Sequence, residues 1–330
     1  MSVPATGIVP SVLGTVGRKR VSLALSDERG ALRLDTIRDY DAEATSGVSD
    51  ALTTFRRDLA LADLPKQSAI AVAGLARGDA ISITRTRWIV SRPGIEAMLG
   101  RPPLVLNDFA AEAWALYSAD VRPAEMFSAV ADLSFRKPGC YLVLGITSGL
   151  GAAVLRRDEN GLVTVLPTEA GHGGFVAGTE ELGRLAGDLH PGKYPVTAED
   201  IVSAPGLLAI YQLVARRRNV TCRARTPEDV TRGIALDPIA REACELLCKG
   251  FWSQAGSLVV TFGAWDGVLL TGKVAQVLRQ VLRRPDTQAL FVGAGKYQRV
   301  LSQVPRGFAT LEHGELVGLA EALRHHRGKG

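Results

Sequence analysis

Two segments of this chain share one plan, and that repetition constrains the fold more than any other feature of the sequence. Residues 11–25 place alternating apolar residues on both sides of a glycine-bearing turn, and residues 141–155 place apolar strands around the turn Gly145–Gly151. Each pattern is typical of a β-hairpin. A hairpin near the start of each half predicts a duplicated lobe of the βββαβα type, and therefore two α/β lobes.

Apolar patterns elsewhere predict the remaining elements. Helical patterns dominate after residue 180, and a strand at 104–107 runs directly into a helix. The expected helices are 49–62, 109–117 and a closing helix at 315–325, and the expected strands include one starting at Ser68, a pair around 81–89, 267–272 and Leu290–Val292.

Size and hydropathy fit a two-lobed chain without a membrane segment. The chain has 330 residues, of which 46% are hydrophobic, and this is enough for a large core. Its longest apolar runs, such as 257–262, are far shorter than the roughly 20 residues of a membrane-spanning helix. The first residues lack the basic start and apolar stretch of a secretion signal. We therefore expect a cytoplasmic protein with no membrane partner.

The cysteines and charges argue against other classes of protein. The four cysteines form no Cys-x-x-Cys pair, and Cys244 and Cys248 lie one helical turn apart on an apolar segment, which is typical of reduced core thiols. The net charge of +5 is scattered, apart from the basic runs 18–20 and 216–218. A basic nucleic-acid binder is one alternative, but the zinc-finger spacing and aromatic RNA-binding strand of such proteins are missing. We do not expect nucleic acid as a partner.

Asp108 is the first candidate for chemistry. It follows the apolar strand 104–107 at its carboxyl end, the edge where open α/β sheets bind ligands. A carboxylate there can take the proton of a sugar hydroxyl while the oxygen attacks a phosphoryl group. Alternatively, Asp108 simply caps the helix that begins at Phe109.

Two glycine-rich segments add candidates. The segment Thr168–Gly174 places Glu169 and His172 three residues apart, and a carboxylate and a neutral imidazole both accept hydrogen bonds from sugar hydroxyls. The turn Gly145–Gly151 exposes consecutive backbone N–H groups of the kind that bind phosphate oxygens. The alternatives are an ordinary surface loop and an ordinary hairpin turn.

Taken in their order along the chain, the motifs of this sequence resemble those of the bacterial glucokinase family, which belongs to the hexokinase and actin-like ATPase-domain superfamily. Leu106–Phe109 is similar to the family's catalytic strand end, Thr168–His172 to its S-E-G-G-H loop, and Val196–Gly206 to its V-S-x-E-x-x-x-S-G-P-G segment. The resemblance spans almost the whole chain. It implies a two-lobed α/β fold of the actin-like ATPase (ribonuclease H-like) type with a cleft between its duplicated βββαβα-type domains. The implied division is a small lobe, 1–118 completed by the C-terminal helix 312–330, and a large lobe, 119–311.

The resemblance also implies a reaction and the residues that perform it. The reaction is ATP-dependent phosphorylation of glucose, or a related hexose, at the 6-hydroxyl, with Asp108 as the base and with ATP and Mg²⁺ as cofactors. A homodimer is a further family expectation. The implied sugar contacts are Asn107, Asp108, Glu169, His172 and Glu199, and the implied nucleotide contacts are Gly14, Gly17, Thr147, Ser148, Gly149 and Gly272.

The first hairpin departs from the family pattern. The family has G-D-x-G-G-T-N-x-R where this chain reads G-T-V-G-R-K-R-V-S, so Thr15 replaces an aspartate that helps to hold magnesium. Arg18 and Lys19 replace the Gly-Thr pair that wraps the phosphates. A neutral hydroxyl cannot supply the anionic oxygen that Mg²⁺ prefers.

Three further departures lie elsewhere. Thr147 begins a T-S-G-L-G turn in place of G-T-G-L-G, Lys273 ends T-G-K in place of A-G-G, and Arg85 stands where the family has a sugar-contacting asparagine. These changes support a second hypothesis, which is a catalytically impaired pseudokinase that binds a hexose or sugar phosphate and regulates a partner.

Overall fold

The structure is a computed structural model that describes residues 9–84, 86, 88–117, 123–128 and 133–327. The chain forms two compact units, residues 1–120 with 311–330 and residues 121–310. Position 85, where an arginine replaces the family asparagine, lies outside the described residues. None of the helices within the described ranges is long and apolar enough to cross a lipid bilayer.

The first unit contains a five-stranded sheet, a separate strand pair and four helices among its described residues. Its strands are β1 (Ser11–Val16), β2 (Arg20–Ser26), β3 (Leu32–Asp41), β4 (Gln67–Val72), β5 (Ala80–Ser82), β6 (Ile89–Ser91) and β7 (Leu104–Asn107). Its helices are α1 (Val48–Asp58), α2 (Arg92–Leu99), α3 (Asp108–Ala115) and, from the C-terminus, α12 (Gly314–Arg327). The sheet order is β3-β2-β1-β4-β7, and β5 pairs with β6.

The second unit contains a six-stranded sheet covered by helices. Its strands are β8 (Glu125–Met126), β9 (Gly139–Ile146), β10 (Leu150–Arg157), β11 (Val163–Thr168), β12 (Gly267–Thr271) and β13 (Arg306–Phe308). Its helices are α4 (Glu180–Leu189), α5 (Ala198–Ile201), α6 (Ala204–Arg217), α7 (Pro227–Gly233), α8 (Pro238–Phe262), α9 (Lys273–Leu282), α10 (Pro285–Val292) and α11 (Gln298–Gln303), with a 3₁₀ turn at Ala170–His172. The sheet order is β11-β10-β9-β12-β13-β8.

The two main sheets share one topology. In each, the first hairpin strand pairs antiparallel with the second, and the second pairs antiparallel with a third, in the orders β1-β2-β3 and β9-β10-β11. The first hairpin strand also pairs in parallel with a later strand, which in turn pairs in parallel with another, β4-β7 and β12-β13. The duplication that the two hairpins predicted is therefore present in the hydrogen-bonded order of both sheets.

Apolar faces account for the packing of each unit. The α1 residues Val48, Ala51, Leu52 and Phe55 recur at helical spacing and are buried against the first sheet. In the second unit, α8 is buried along most of its length, because it packs in the core between the sheet and the other helices. Its Cys244 and Cys248 are buried free thiols, as the pattern predicted, and burial raises the pKa of Cys244 to about 12.

The predicted strand at Leu290–Val292 is wrong, because these residues end α10. A run of three apolar residues is too short to distinguish a strand from a buried helical turn. The helix is favoured by packing against α8, where a Cβ atom at Gly256 would lie 2.1 Å from the carbonyl oxygen of Phe291. The Phe291 ring also packs edge-on against Trp252, with 5.7 Å between centroids.

The second basic run is partly neutralised by acidic neighbours. Arg217 pairs with Asp188 at 2.5 Å, and Arg218 pairs with Glu242. Phosphate-driven binding of nucleic acid depends on uncompensated positive charge. These pairs therefore weaken the nucleic-acid alternative for this part of the surface.

Candidate active site

Asn107 ends β7 and caps α3. It is level with Val72 at the end of the parallel strand β4, and so it lies at the carboxyl edge of the sheet. Its Oδ1 accepts hydrogen bonds from the N–H groups of Phe109 at 2.9 Å and Ala110 at 3.2 Å. Its Nδ2 donates to the carbonyl oxygen of Gly74 at 3.4 Å. Asn107 is thus held from both the helix and the neighbouring loop.

Asp108 is the first residue of α3, one position after the cap. The alternative that Asp108 caps the helix is wrong, because the side chain of Asn107 performs that role. Asp108 Oδ1 accepts a hydrogen bond from the N–H of Phe109 at 2.9 Å. The positive end of the helix dipole favours a negative charge in the first turn, the charge that a proton-accepting carboxylate carries.

A polar cavity of about 210 Å³ lies beside Thr15 in the same unit. Glu112, one turn after Asp108 on α3, and Glu315 of α12 both line it. Burial raises the pKa of Glu315 well above its usual range, and the nearby carboxylates of Asp108 and Glu112 raise it further. The cavity therefore holds acidic side chains, while Thr15 itself contributes only a hydroxyl.

The glycines of the first hairpin make their contacts within the hairpin itself. Gly14 lies inside β1, where a Cβ atom would be 2.9 Å from the Leu23 side chain. Gly17 donates its N–H to the carbonyl oxygen of Arg20 at 2.9 Å, so this group already has a partner within the turn. Arg18 and Lys19 are partly to fully exposed at the tip. The steric reason for a glycine at position 17 is weak, since a Cβ atom there would make only an ordinary contact at 3.5 Å.

The second hairpin turn, Thr147–Gly149, is enclosed by other segments of its own unit. The Thr147 N–H donates to the Gly149 carbonyl oxygen at 2.9 Å, which tightens the turn. Gly272, with φ +97°, lies against the strand end that enters the turn, and a Cβ atom there would be 2.7 Å from the Ile146 carbonyl oxygen. Positive φ and this close approach both require glycine. The segment Thr271–Lys273 is therefore held beside the turn.

The loop with Glu169 and His172 approaches the strand that leaves the turn. Gly171 lies against Leu150, and a Cβ atom at 171 would be 2.1 Å from the Leu150 carbonyl oxygen. The side chains of Glu169 and His172 come within 3.9 Å of each other, Oε2 to Nε2, and both remain partly exposed. A carboxylate and an imidazole thus share one small surface beside the hairpin.

Glu199 reaches the turn itself. It lies in the first turn of the short helix α5 and is 8% exposed. Its Oε2 is 2.1 Å from the position that a Cβ atom on Gly149 would take. The same segment is tied to the turn by a backbone hydrogen bond of 2.9 Å, from the Ala204 N–H to the Thr147 carbonyl oxygen.

The second unit therefore brings together the predicted segments around Thr147–Gly149, Glu169–His172, Glu199 and Gly272. The capping box that holds α5 was not predicted from the sequence, and in it Thr197 accepts a hydrogen bond from the Asp200 N–H while Asp200 accepts one from the Thr197 N–H. The spacing Thr-x-x-Asp before an apolar residue is a recognisable helix-start signal and could have identified it. The acidic cavity of the first unit was not predicted either, because the sequence carries no comparable signal for it.

Comparison with known proteins decides the family. A family model described as Glucokinase matches residues 12–326. The chain belongs to the glucokinase family. A protein named Glucokinase from Stenotrophomonas maltophilia is 30% identical over 319 residues, which cover 94% of each chain.

Solved structures of glucokinases share the fold. The glucokinase from Balamuthia mandrillaris in complex with glucose matches at a TM-score of 0.78 and 20% identity, covering 97% of this chain and 95% of that one. A ROK family glucokinase from Streptomyces griseus in complex with glucose and AMPPNP matches at a TM-score of 0.63 and 16% identity, covering 95% and 98%. The predicted two-lobed α/β fold class is confirmed.

The residues that the structure describes do not fit a metal ion held by the protein alone. The glycines Gly149 and Gly272 allow close packing within the unit, because the Glu199 carboxylate fills the space beside Gly149 and the Ile146 carbonyl oxygen fills the space beside Gly272. For magnesium, Thr15 lacks the carboxylate of the family pattern. Over the part of the chain that the structure describes, no group of three or more His, Cys, Asp or Glu side chains is arranged to hold a metal ion. A magnesium site made by the protein alone does not fit this glucokinase-family chain.

Proposed function

We propose that this protein is an ATP-dependent hexose kinase that phosphorylates glucose, or a related hexose, at the 6-hydroxyl. The observation that carries the proposal is the placement of Asp108 at the start of α3, with the helix cap supplied by Asn107. The side chain of Asp108 is therefore not needed as the cap of α3. Membership of a family whose named relatives are glucokinases supports the same reaction.

In the first unit, Asp108 is the proposed base. An ionised carboxylate within hydrogen-bond reach of a sugar hydroxyl accepts its proton while the oxygen attacks the phosphoryl group. Asn107 is proposed to contact the sugar, and its hydrogen bonds to α3 and Gly74 restrict its orientation. A restricted side chain loses less conformational entropy when it binds a ligand.

In the second unit, Glu169, His172 and Glu199 are the proposed sugar contacts. A carboxylate accepts hydrogen bonds only, so it recognises hydroxyl donors. Such sites discriminate strongly against sugars that lack a hydroxyl at the right position, since a buried acceptor is then left unpaired. The burial of Glu199 makes it the contact with the largest penalty for a wrong sugar.

The proposed nucleotide contacts are Thr147, Ser148, Gly149 and Gly272, together with Gly14 and Gly17 of the first hairpin. When bound, ATP supplies the phosphoryl group and its accompanying Mg²⁺ neutralises phosphate charge. A cytoplasmic location, a homodimer and the division at residues 118 and 312 remain parts of the proposal.

The test is formation of sugar phosphate from glucose with ATP and magnesium. The Asp108→Ala variant should lose about two to four orders of magnitude in kcat, since general-base catalysis contributes about that much. The matched control is Asp50→Asn, which changes an exposed first-turn carboxylate of α1. Control activity equal to wild type, with activity lost only in Asp108→Ala, supports the proposed base.

The pseudokinase hypothesis makes the opposite prediction. Thr15, Arg18, Lys19 and Lys273 are the features that favour it, whereas the named relatives do not support it. A wild-type protein that binds hexose but forms no sugar phosphate at high enzyme concentration would reject the kinase proposal in favour of this alternative. Turnover that survives in Asp108→Ala would instead reject Asp108 as the base.

A further inference from the structure

The carboxylate of Glu199 occupies the space that a side chain at position 149 would need. A Cβ atom on Gly149 would be 2.1 Å from Glu199 Oε2, 3.0 Å from its Cδ and 3.7 Å from its Oε1. Ordinary non-bonded contacts between carbon atoms begin at roughly 3.5 Å. Even one methyl group at this position would therefore force the carboxylate to move.

The backbone that carries Glu199 has little freedom to move in response. The capping box of Thr197 and Asp200 holds the first turn of α5, and Lys193 pairs with Asp200 at 2.6 Å. Burial alone would raise the pKa of Asp200, but hydrogen bonds from Lys193 and Thr197 outweigh it and lower this pKa to about 2. Asp200 is thus a charged anchor at neutral pH.

The turn is held in place from its own side. The Thr147 carbonyl oxygen accepts the Ala204 N–H at 2.9 Å, just beyond α5, and the Thr147 N–H donates across the turn to Gly149. The Glu199 side chain thus lies between two backbone segments that are each held by hydrogen bonds. The Glu199 carboxylate lies in the space that the missing side chain of Gly149 leaves open.

We propose that Gly149 is a positioning residue for hexose recognition, because the bare backbone of the β9–β10 turn provides the seat from which Glu199 accepts hydrogen bonds from the sugar. The inference rests on the proposed function, in which Glu199 contacts the hexose. It goes further by giving the turn a role in sugar binding that is separate from any contact with nucleotide phosphates. The carboxylate of Glu199 and the β9–β10 turn then form one structural unit.

The decisive measurement is glucose binding in the absence of nucleotide, by titration calorimetry. A phosphate-binding role alone predicts no change when Gly149 is replaced, because no phosphate is present. A displaced carboxylate predicts weaker binding by about tenfold or more, since a hydrogen bond to a charged group contributes strongly to affinity. Discrimination between glucose and its epimers should also decrease, because the acceptor no longer has a fixed position.

The variants are Gly149→Ala and the control Gly187→Ala in α4, where an added Cβ atom meets nothing within 4 Å. We expect Gly149→Ala to lose glucose affinity and Gly187→Ala to bind like wild type. Equal affinity in Gly149→Ala and wild type would overturn the inference.

A second variant makes the result specific to the proposed contact. Glu199→Asp withdraws the carboxylate by one methylene and removes the clash, so adding Gly149→Ala to it should cost little further affinity. Independent, additive losses in the double variant would contradict the inference. Should Gly149→Ala alone not fold, the double variant should fold and bind like Glu199→Asp, and failure to do so overturns the inference as well.

The design separates this inference from the proposed function. If the wild type binds glucose without turnover, only the kinase activity is rejected, and the effect of Gly149→Ala on glucose affinity can still be measured. A wild-type protein that binds no hexose overturns both. Turnover by the wild type together with unchanged glucose binding in Gly149→Ala rejects only the role of Gly149.

Discussion

Gly318 of α12 lies directly against the backbone of Ala111 in α3. A Cβ atom at position 318 would be 1.6 Å from the Ala111 carbonyl oxygen and 2.9 Å from the Ala115 nitrogen. The two helices therefore approach more closely than side chains would allow. Since α3 begins with Asp108, the C-terminal helix supports the element that carries the proposed base.

Replacing Gly318 should destabilise the first unit. In Gly318→Ala the new methyl group meets backbone atoms that cannot rotate away, so the helices must separate. We expect a loss of about 2 kcal/mol in the free energy of unfolding, a typical cost of overpacking, measured by urea denaturation. The control Gly187→Ala, on an open helix surface, should instead gain about 0.5 to 1 kcal/mol. Equal effects of the two changes would contradict the close approach.

The partly buried carboxyl of Glu315 predicts a pH dependence of stability. Its pKa in the folded protein is raised above the ordinary value of 4.5, chiefly by burial and further by Asp108 and Glu112. Above that pH the unfolded chain binds fewer protons than the folded one, so the free energy of unfolding falls as pH rises, until the folded carboxyl also ionises. Urea denaturation from pH 5 to pH 8 should show a smaller decline in Glu315→Gln than in wild type. Parallel declines in the two proteins would reject the prediction.

The acidic cavity also predicts the effect of restoring the family's aspartate at position 15. Thr15→Asp adds a carboxylate to a cavity already lined by Glu112 and Glu315. We expect a loss on the order of 1 kcal/mol at pH 8 from like-charge repulsion. The loss should shrink at pH 4, where the Glu315 carboxyl, whose pKa is raised by burial and by Asp108 and Glu112, is protonated. Thr15→Asn, which has the same shape without the charge, is the control, and an equal loss in both variants would exclude repulsion as the cause.

The capping box of α5 predicts a link between a helix cap and sugar affinity. Thr197→Ala removes the acceptor for the Asp200 N–H and should cost about 1 kcal/mol of stability. Because Glu199 lies within that first turn, glucose affinity should fall as well. Thr226→Ala breaks the matching capping box of α7 and is the control. A similar loss of stability with unchanged glucose affinity is expected there, and a fall in affinity in both variants would point to a general effect.

Much of the fold follows from local patterns in the sequence. Period-two alternation on both sides of short turns predicted the hairpins β1-β2 and β9-β10, because each hairpin depends on residues adjacent in the chain. The strand-to-helix switch at Asn107–Asp108 followed from the same kind of local signal. The prediction failed at Leu290–Val292, where packing against α8, which lies far away in the sequence, favours a helix.

The candidate site was likewise predicted in part from the sequence. The residue types and their spacing were enough to name Asp108, Glu169 and His172, and to place them at a strand end and in a glycine-rich loop, whereas Glu199 was named only through the resemblance to the glucokinase family. The sequence alone left two questions open, namely which residue caps α3 and where the carboxylate of Glu199 lies.

Tertiary structure decided what depends on residues that are distant in the chain. The contact of Glu199 with Gly149, the contact of Gly318 with Ala111 and the interaction of Glu315 with Asp108 each join segments separated by 50 to more than 200 residues. Local periodicity reports only which face of an element is apolar. Contacts of this kind depend on how the elements pack together, and so only the folded chain determines them.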